Sequence, residues 1–312
     1  MTVTTRAPGT SRVNRPGHTS GRRPRGPRDA LAYLRPRHLG AGAIRALCAV
    51  NILLLLWMVL TSFRDTKSIF ESPVGLPTHP QWDNYTRAWQ TGGFGPALVN
   101  SLLASVGSAV IAVAIAAPAA YALSRTKRKV GSPLTMLFAL GLGVPTQLII
   151  IPVYVALAKT QALTHLKLLD SMQGLMFVYV GLAMPFTVFL LTGYFRSLPV
   201  EVEEAACLDG AGALRTFVQV VLPMARNGLI TAFTMQVLGA WNETLFGLVL
   251  LTSSDNRTLP VALLSFIDQQ QFQGTDWGGM FAGVVLIMVP VLTVFAVLGQ
   301  RLISGMTAGV SK

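Results

Sequence analysis

Glu243 is the one clear carboxylate inside a long apolar segment of this chain, and it follows directly on Trp241 and Asn242. An ionised Glu near the middle of a bilayer costs roughly 2.5 to 3.5 kcal/mol on insertion scales, so such a side chain must face a cavity or a partner. On a helix, Gln236, Gly239 and Glu243 share one face, because seven residues make almost two turns, while Asn242 lies about 100° away. Carboxylates and amides hydrogen-bond hydroxyl groups, and the Trp241 ring offers a face for CH groups. The same residues could equally form a packing contact or gate between subunits that never meets a solute, and both readings stand. Gln147 and Asn100 are further candidates along the same path, set against ordinary polar bonding between helices.

A second concentration of chemistry lies between two apolar segments, where Glu201, Glu203, Glu204 and Asp209 precede Gly210 and Gly212. Carboxylates at the start of a short helix sit at its positive end, and glycine permits the sharp turn that follows. No machinery for bond cleavage accompanies them. The chain has no Gly-Lys pair and therefore no phosphate-binding Gly-x-x-x-x-Gly-Lys-Ser/Thr loop, and neither His-Glu-x-x-His nor Gly-x-Ser-x-Gly occurs. Catalytic residues, a bound cofactor and a metal site are not expected.

The elements that position these residues must live in lipid. Of 312 residues 52% are hydrophobic and 12% charged, which is far from the composition of a soluble domain, and the mean hydropathy is +0.53. A helix needs about 20 apolar residues to cross a bilayer, and six windows qualify, at about 44–63, 95–124, 133–158, 172–195, 228–251 and 278–300. The expectation is an all-α, six-helix integral membrane domain over residues 41–312, preceded by a basic tail over 1–40. That tail is rich in Pro, Gly, Ser, Thr and Arg with little apolar material, which predicts disorder. Its charge suits anionic lipid better than nucleic acid, because no basic domain with interleaved aromatics accompanies it.

Arg125, Lys127, Arg128 and Lys129 form the tightest basic cluster between spans, so the charge rule puts that connection, both termini and the 196–223 loop in the cytoplasm. The first span keeps its full length with no small-x-small cleavage pattern, which predicts an uncleaved anchor. Cys48 and Cys207 fall in different compartments of this plan, so neither a structural disulfide nor a metal site is expected.

Asn100, Ala104, Ser108, Ala112, Ala116 and Ala120 recur every fourth residue, a small-residue face suited to close helix packing within the chain. Pro118, Pro145, Pro152, Pro185 and Pro290 fall within spans and predict kinks. The outer loops, about 64–94, 159–171 and 252–277, are too short for a solute-binding domain of typical size. Their Trp82, Tyr85, Trp89 and Trp277 suit an interfacial belt.

Glu204-Ala205-Ala206 is followed after three residues by Gly210, and Val220-x-Leu222-Pro223 comes after nine more. This spacing resembles the EAA loop of the permease subunits of ATP-binding-cassette importers. Pro199 would open a first short helix, and Leu214–Val221 would form a second. Pro185-Phe186, Gly193-Tyr194-Phe195-Arg196, Ala240-Trp241-Asn242-Glu243, Thr258-Leu259-Pro260-Val261 and Gly305-Met306-Thr307-Ala308-Gly309-Val310 narrow the resemblance to the carbohydrate branch and its maltose-type second permease.

That resemblance implies a non-enzymatic plasma-membrane subunit that passes a sugar delivered by an extracytoplasmic binding protein. It implies a second permease and two ATPases as partners, with ATP and Mg bound by the ATPases. Glu203, Glu204, Ala205, Ala206, Asp209 and Gly210 would couple to the ATPase, while Trp241, Asn242, Glu243, Gln236, Gln147 and Asn100 would line the path. Importers of glycerol phosphate, amino acids or polyamines share the mechanism and remain alternatives. An ion-coupled carrier would need inverted repeats and further intramembrane ligands.

Overall fold

The computed structural model describes residues 36–126 and 128–308. Contacts divide the chain into a first unit ending at Leu54 and a second from Leu55 to Lys312. The basic tail expected over 1–40 falls outside the described residues as far as position 35, and Pro36 already opens helix α1, Pro36–Thr61. In the first unit, residues 42–54 of this helix are exposed, Leu47 and Leu53 among them.

The second unit continues with α2 (Thr66–Glu71), α3 (Asp83–Thr91), α4 (Phe94–Arg125), α5 (Arg128–Gly141), α6 (Thr146–Thr164), α7 (Met172–Ser197) and α8 (Glu201–Leu208). Then follow α9 (Ala213–Thr216), α10 (Leu222–Met224), α11 (Arg226–Asn242), α12 (Leu245–Leu250), α13 (Leu259–Gln273) and α14 (Trp277–Ala308). Among the described residues, five helices are long and apolar enough to cross a membrane: Gly42–Thr61, Phe94–Arg125, Thr146–Thr164, Met172–Ser197 and Trp277–Val297. Four of these five fall on expected windows; the remaining two windows are interrupted, and Thr146–Thr164 comes from one of them.

The window at 133–158 divides into α5 and α6, because Gly141-Leu142-Gly143-Val144-Pro145 cannot continue a helix. Pro145 lacks an amide donor and pushes Val144 toward extended backbone, so this proline breaks the helix instead of kinking it. The window at 228–251 breaks at Glu243, which is extended at φ −73° and ψ 125°, leaving α11 and the short α12. Pro118, Pro152, Pro185 and Pro290 stay inside their helices.

The longest packing seam joins α4 to α7, and α11 packs on α4 as well. The small-residue face forms that seam: Ala104, Ser108, Ala112, Ala116 and Ala120 are buried, with Ala116 and Ala120 against Val188, Leu191 and Phe195. In lipid such a seam gains from close backbone approach and dispersion more than from water release. Asn100 stands at its end and turns elsewhere.

Candidate functional site

The loop after α7 is built by its termini. Glu201, Glu203 and Glu204 occupy the first turn of α8, where unpaired amides and the macrodipole favour carboxylates. At the far end Gly210 adopts φ +80°, and the Gly210 and Ala211 amides donate to the Cys207 and Ala206 carbonyls at 3.0 and 2.9 Å. A left-handed residue past a helix terminus is the ordinary use of glycine. Gly212, at φ −71°, needs no such freedom.

Two local expectations change. Pro199 lies outside the helix, which begins at Glu201 with Val200 as its cap. The second short helix starts at Ala213 and widens into a π-helical turn over Phe217–Val221. Pro223 just beyond cannot donate to the Gln219 carbonyl, and the wider register ahead of it accommodates the loss.

Glu203 points inward. It is 9% exposed and accepts from Tyr121 Oη at 2.8 Å and from Arg125 Nε at 3.0 Å, with Arg125 Nη2 also on the same carboxylate. Burial works to raise its pKa, but the Arg125 and Tyr121 hydrogen bonds and the Arg125 charge outweigh it and hold the carboxyl below its ordinary value. Of the other loop residues singled out in the sequence, Glu204, Ala205, Asp209 and Gly210 are exposed and Ala206 is half-buried. Leu208 is 90% exposed and Leu214 76%, so the loop presents apolar surface beside its charges.

A cavity of about 200 Å³ opens where α6, α7 and α11 meet, with Thr146, Tyr179, Gln236 and Glu243 as its polar lining and Gly239, Ala240, Leu182 and Ala183 between them. Gln236, Gly239 and Glu243 thus share one wall. Glu243 accepts from Tyr179 Oη at 3.0 Å and from the Phe246 and Gly247 amides at 3.0 and 3.3 Å. Those amides are the unpaired donors at the start of α12, so the carboxylate closes the helix break while lining the cavity. A groove of about 330 Å³ along α6 and α7 is larger, but among its lining residues Thr160 alone brings a polar side chain.

The remaining candidates sit elsewhere. Trp241, expected as a stacking platform on the path, is 4% exposed in a core cluster with Phe94, Leu259 and Phe266. On α11 it lies two residues, about 200°, from Gly239 and so points to a different side of the helix. Asn242 is exposed and donates to the Leu238 carbonyl at 2.8 Å. Gln147 is exposed and does not line the cavity, although its neighbour Thr146 does. Asn100 donates to the Asp255 and Arg257 carbonyls at 2.7 and 3.1 Å, so it fastens a loop. Tyr179, Tyr121 and Thr146 were not singled out in the sequence. A tyrosine or threonine in an apolar run carries no pattern that marks it.

At the other end of α7 from the acidic loop, Asp170 accepts from the Thr252 amide at 3.0 Å, the Ser253 amide at 3.0 Å and Ser253 Oγ at 2.9 Å. Hydrogen bonds from Ser253, led by its amide, lower the Asp170 pKa to about 2. Together with Asn100 it holds residues 251–257 in place.

Residues 109–307 match the family model described as binding-protein-dependent transport system inner membrane component. The diacetylchitobiose uptake system permease protein of Streptomyces coelicolor is 35% identical over 260 residues, covering 83% of this chain and 84% of that protein. The trehalose transport system permease protein of Mycobacterium tuberculosis is 29% identical over 265 residues, covering 84% and 92%. A solved bacterial ABC transporter involved in the import of the acidic polysaccharide alginate shares the fold at a TM-score of 0.69 and 22% identity, over 85% of this chain and 97% of that one.

Proposed function

The chain belongs to the family of binding-protein-dependent transport system inner membrane components, and from that premise we propose that it passes a di- or oligosaccharide through the membrane in steps driven by ATP hydrolysis on partner subunits. As a member of that family it is a multi-pass plasma-membrane transport component and not a catalytic subunit, and its partners are an ATPase and a binding protein. The finer assembly follows the family plan: a second related permease, two ATPases carrying ATP and Mg, and an extracytoplasmic sugar-binding protein. This chain itself binds no cofactor in that scheme, and no nucleic acid. Both termini and the 196–223 loop face the cytoplasm, as the Arg125–Lys129 cluster indicates.

The observation that carries the reading is α8, an exposed eight-residue helix that closes on Gly210 at φ +80° and is held to the membrane helices through Glu203. It offers Glu204, Ala205, Leu208 and Asp209 to a cleft on the ATPase. ATP-driven closure of two ATPases would press on this helix and change which side of the membrane the cavity faces.

Sugar is the substrate class that suits the cavity as well as the relatives. Tyr179, Gln236 and Glu243 provide donors and acceptors for hydroxyls. A glycerol phosphate would meet the Glu243 carboxylate with no Lys or Arg among the lining residues to offset the repulsion. Family membership sets the ion-coupled carrier aside.

The test is reconstitution with the partner permease, ATPase and binding protein in vesicles, with diacetylchitobiose and trehalose as probes. ATP-dependent accumulation of either sugar is expected. Accumulation of glycerol phosphate, an amino acid or a polyamine in place of sugars would overturn the substrate class, and uptake without ATP would overturn the mechanism.

A further inference from the structure

Arg125 is bound at once to three segments. Its Nη1 donates to the Phe195 carbonyl near the end of α7 at 3.0 Å, its Nε donates to Glu203 of α8 at 3.0 Å, and its own backbone ends α4. Tyr121, one turn earlier on α4, reaches both limbs of the loop. Its hydroxyl donates to Glu203, and its ring stacks on Phe217 of the returning limb at 5.0 Å and 28° while meeting Phe195 edge-on at 5.8 Å. Side-chain exposure is only 20% for Arg125 and 12% for Glu203, so the pair is largely removed from solvent.

The loop is joined covalently to α7 through Leu198–Val200 and to α11 through Ala225, but α4 has no chain connection to it. Two short linkers alone would let α8 swivel against the membrane helices. α4 forms the longest seam with α7 and packs on α11, and those two helices carry Tyr179, Gln236 and Glu243 of the cavity. A stiff link from the loop to α4 therefore recruits the helix that touches both cavity walls.

Resting on the transport reading above, we propose that Arg125, Tyr121 and Glu203 form a joint that makes the 201–223 loop rigid against α4, and that they are positioning residues for coupling instead of part of the ATPase docking surface. Glu203 thereby takes a different role from its exposed neighbours. Lysine could not replace Arg125, because one ammonium cannot present the planar fork that serves Glu203 and the Phe195 carbonyl together. A neutral partner on either side would leave the other charge half-buried and uncompensated.

The experiment uses the complete reconstituted complex and two readouts. Protection of Cys207, an exposed thiol on α8, from a maleimide reports ATPase docking, while binding-protein-stimulated ATP hydrolysis reports coupling. Glu203→Gln and Arg125→Lys are expected to keep Cys207 protection and lose stimulated hydrolysis about tenfold, a normal size for coupling between sites. Tyr121→Phe, which keeps the ring stacked and removes one donor, should lose about threefold.

Wild-type stimulation in Glu203→Gln, Arg125→Lys and Tyr121→Phe alike would overturn the joint. Loss of Cys207 protection in step with hydrolysis would also overturn it, since the residues would then only shape the docking surface. A wild-type complex whose Cys207 is never protected by the ATPase would instead sink the transport reading beneath it.

Discussion

The Tyr179 hydroxyl donates to the Glu243 carboxylate at 3.0 Å, joining α7 to the break between α11 and α12 at the wall of the polar cavity. Both groups keep capacity for a further hydroxyl, the phenol as acceptor and the carboxylate through its remaining lone pairs. Under the transport reading proposed above, the pair is a preformed place for a sugar hydroxyl, held rigid because the carboxylate also caps α12.

Tyr179→Phe should raise the half-saturation for sugar uptake about threefold to tenfold while leaving membrane abundance unchanged, the loss of one hydrogen bond being about 0.5–1.5 kcal/mol. Glu243→Gln keeps an acceptor for the Phe246 amide and removes the charge, so it should lower uptake more than abundance. Vesicle uptake normalised to assembled permease measures both. Abundance falling in step with uptake would make Glu243 a packing contact.

Gly210→Val should leave the membrane helices assembled and lower stimulated hydrolysis and uptake together. A side chain there would meet nothing within 4 Å, so the penalty is the φ of +80° itself, about 1–3 kcal/mol for a branched residue. Asn at 210 should cost less because it enters the left-handed region more readily. Gly212→Ala, at φ −71° and equally open, should behave as wild type. A full set of activities in Gly210→Val would remove the turn from the coupling path.

What was readable in the sequence depended on period and punctuation. The fourfold small-residue face named the α4 seam, and glycine after Glu204-Ala205-Ala206 named the turn, because both are local patterns with one physical reading. Hydrophobic length cannot separate a continuous span from two helices meeting at a break, so 133–158 and 228–251 each read as one. Glu243 and Gln236 stand out because polar groups are rare in apolar runs, but Trp241 carries no such signal: an indole suits a core and a path equally, and here it packs with Phe94 and Phe266. Glu203 carries the same side chain as Glu204, and what turns it inward is Arg125, a residue distant in sequence.

Orientation rests on the Arg125–Lys129 charges and is directly measurable. Single cysteines at Ser197 and Ser254, both exposed, are introduced in a variant lacking Cys48 and Cys207. An impermeant thiol reagent on intact cells should label position 254 and spare 197 until the membrane is permeabilised. The opposite pattern would reverse the topology, and with it the assignment of α8 to the ATPase side.

The Asp170 contacts set a pH window for the loop at 251–257. The carboxyl has its pKa lowered from 3.8 to about 2 by hydrogen bonds from Ser253, Asn256 and Thr252, so the folded loop prefers the charged form. A depressed carboxylate contributes stability that is fully present above its unfolded pKa and is lost as pH falls through the folded one. The contribution should therefore be intact at pH 5 and fade between about 4 and 2. Pepsin, active across that range, reads the change as cleavage near Leu250 and Leu251 in detergent-solubilised protein. Asp170→Asn has no proton to gain and gives up the charge that strengthens the Thr252 and Ser253 bonds to Oδ1, so its loop should already be cut rapidly at pH 4. The ratio of wild-type to variant cleavage cancels the protease's own pH dependence and should rise toward one as the pH approaches 2. A ratio that stays constant from pH 5 to 2 would mean that Asp170 does not hold this loop.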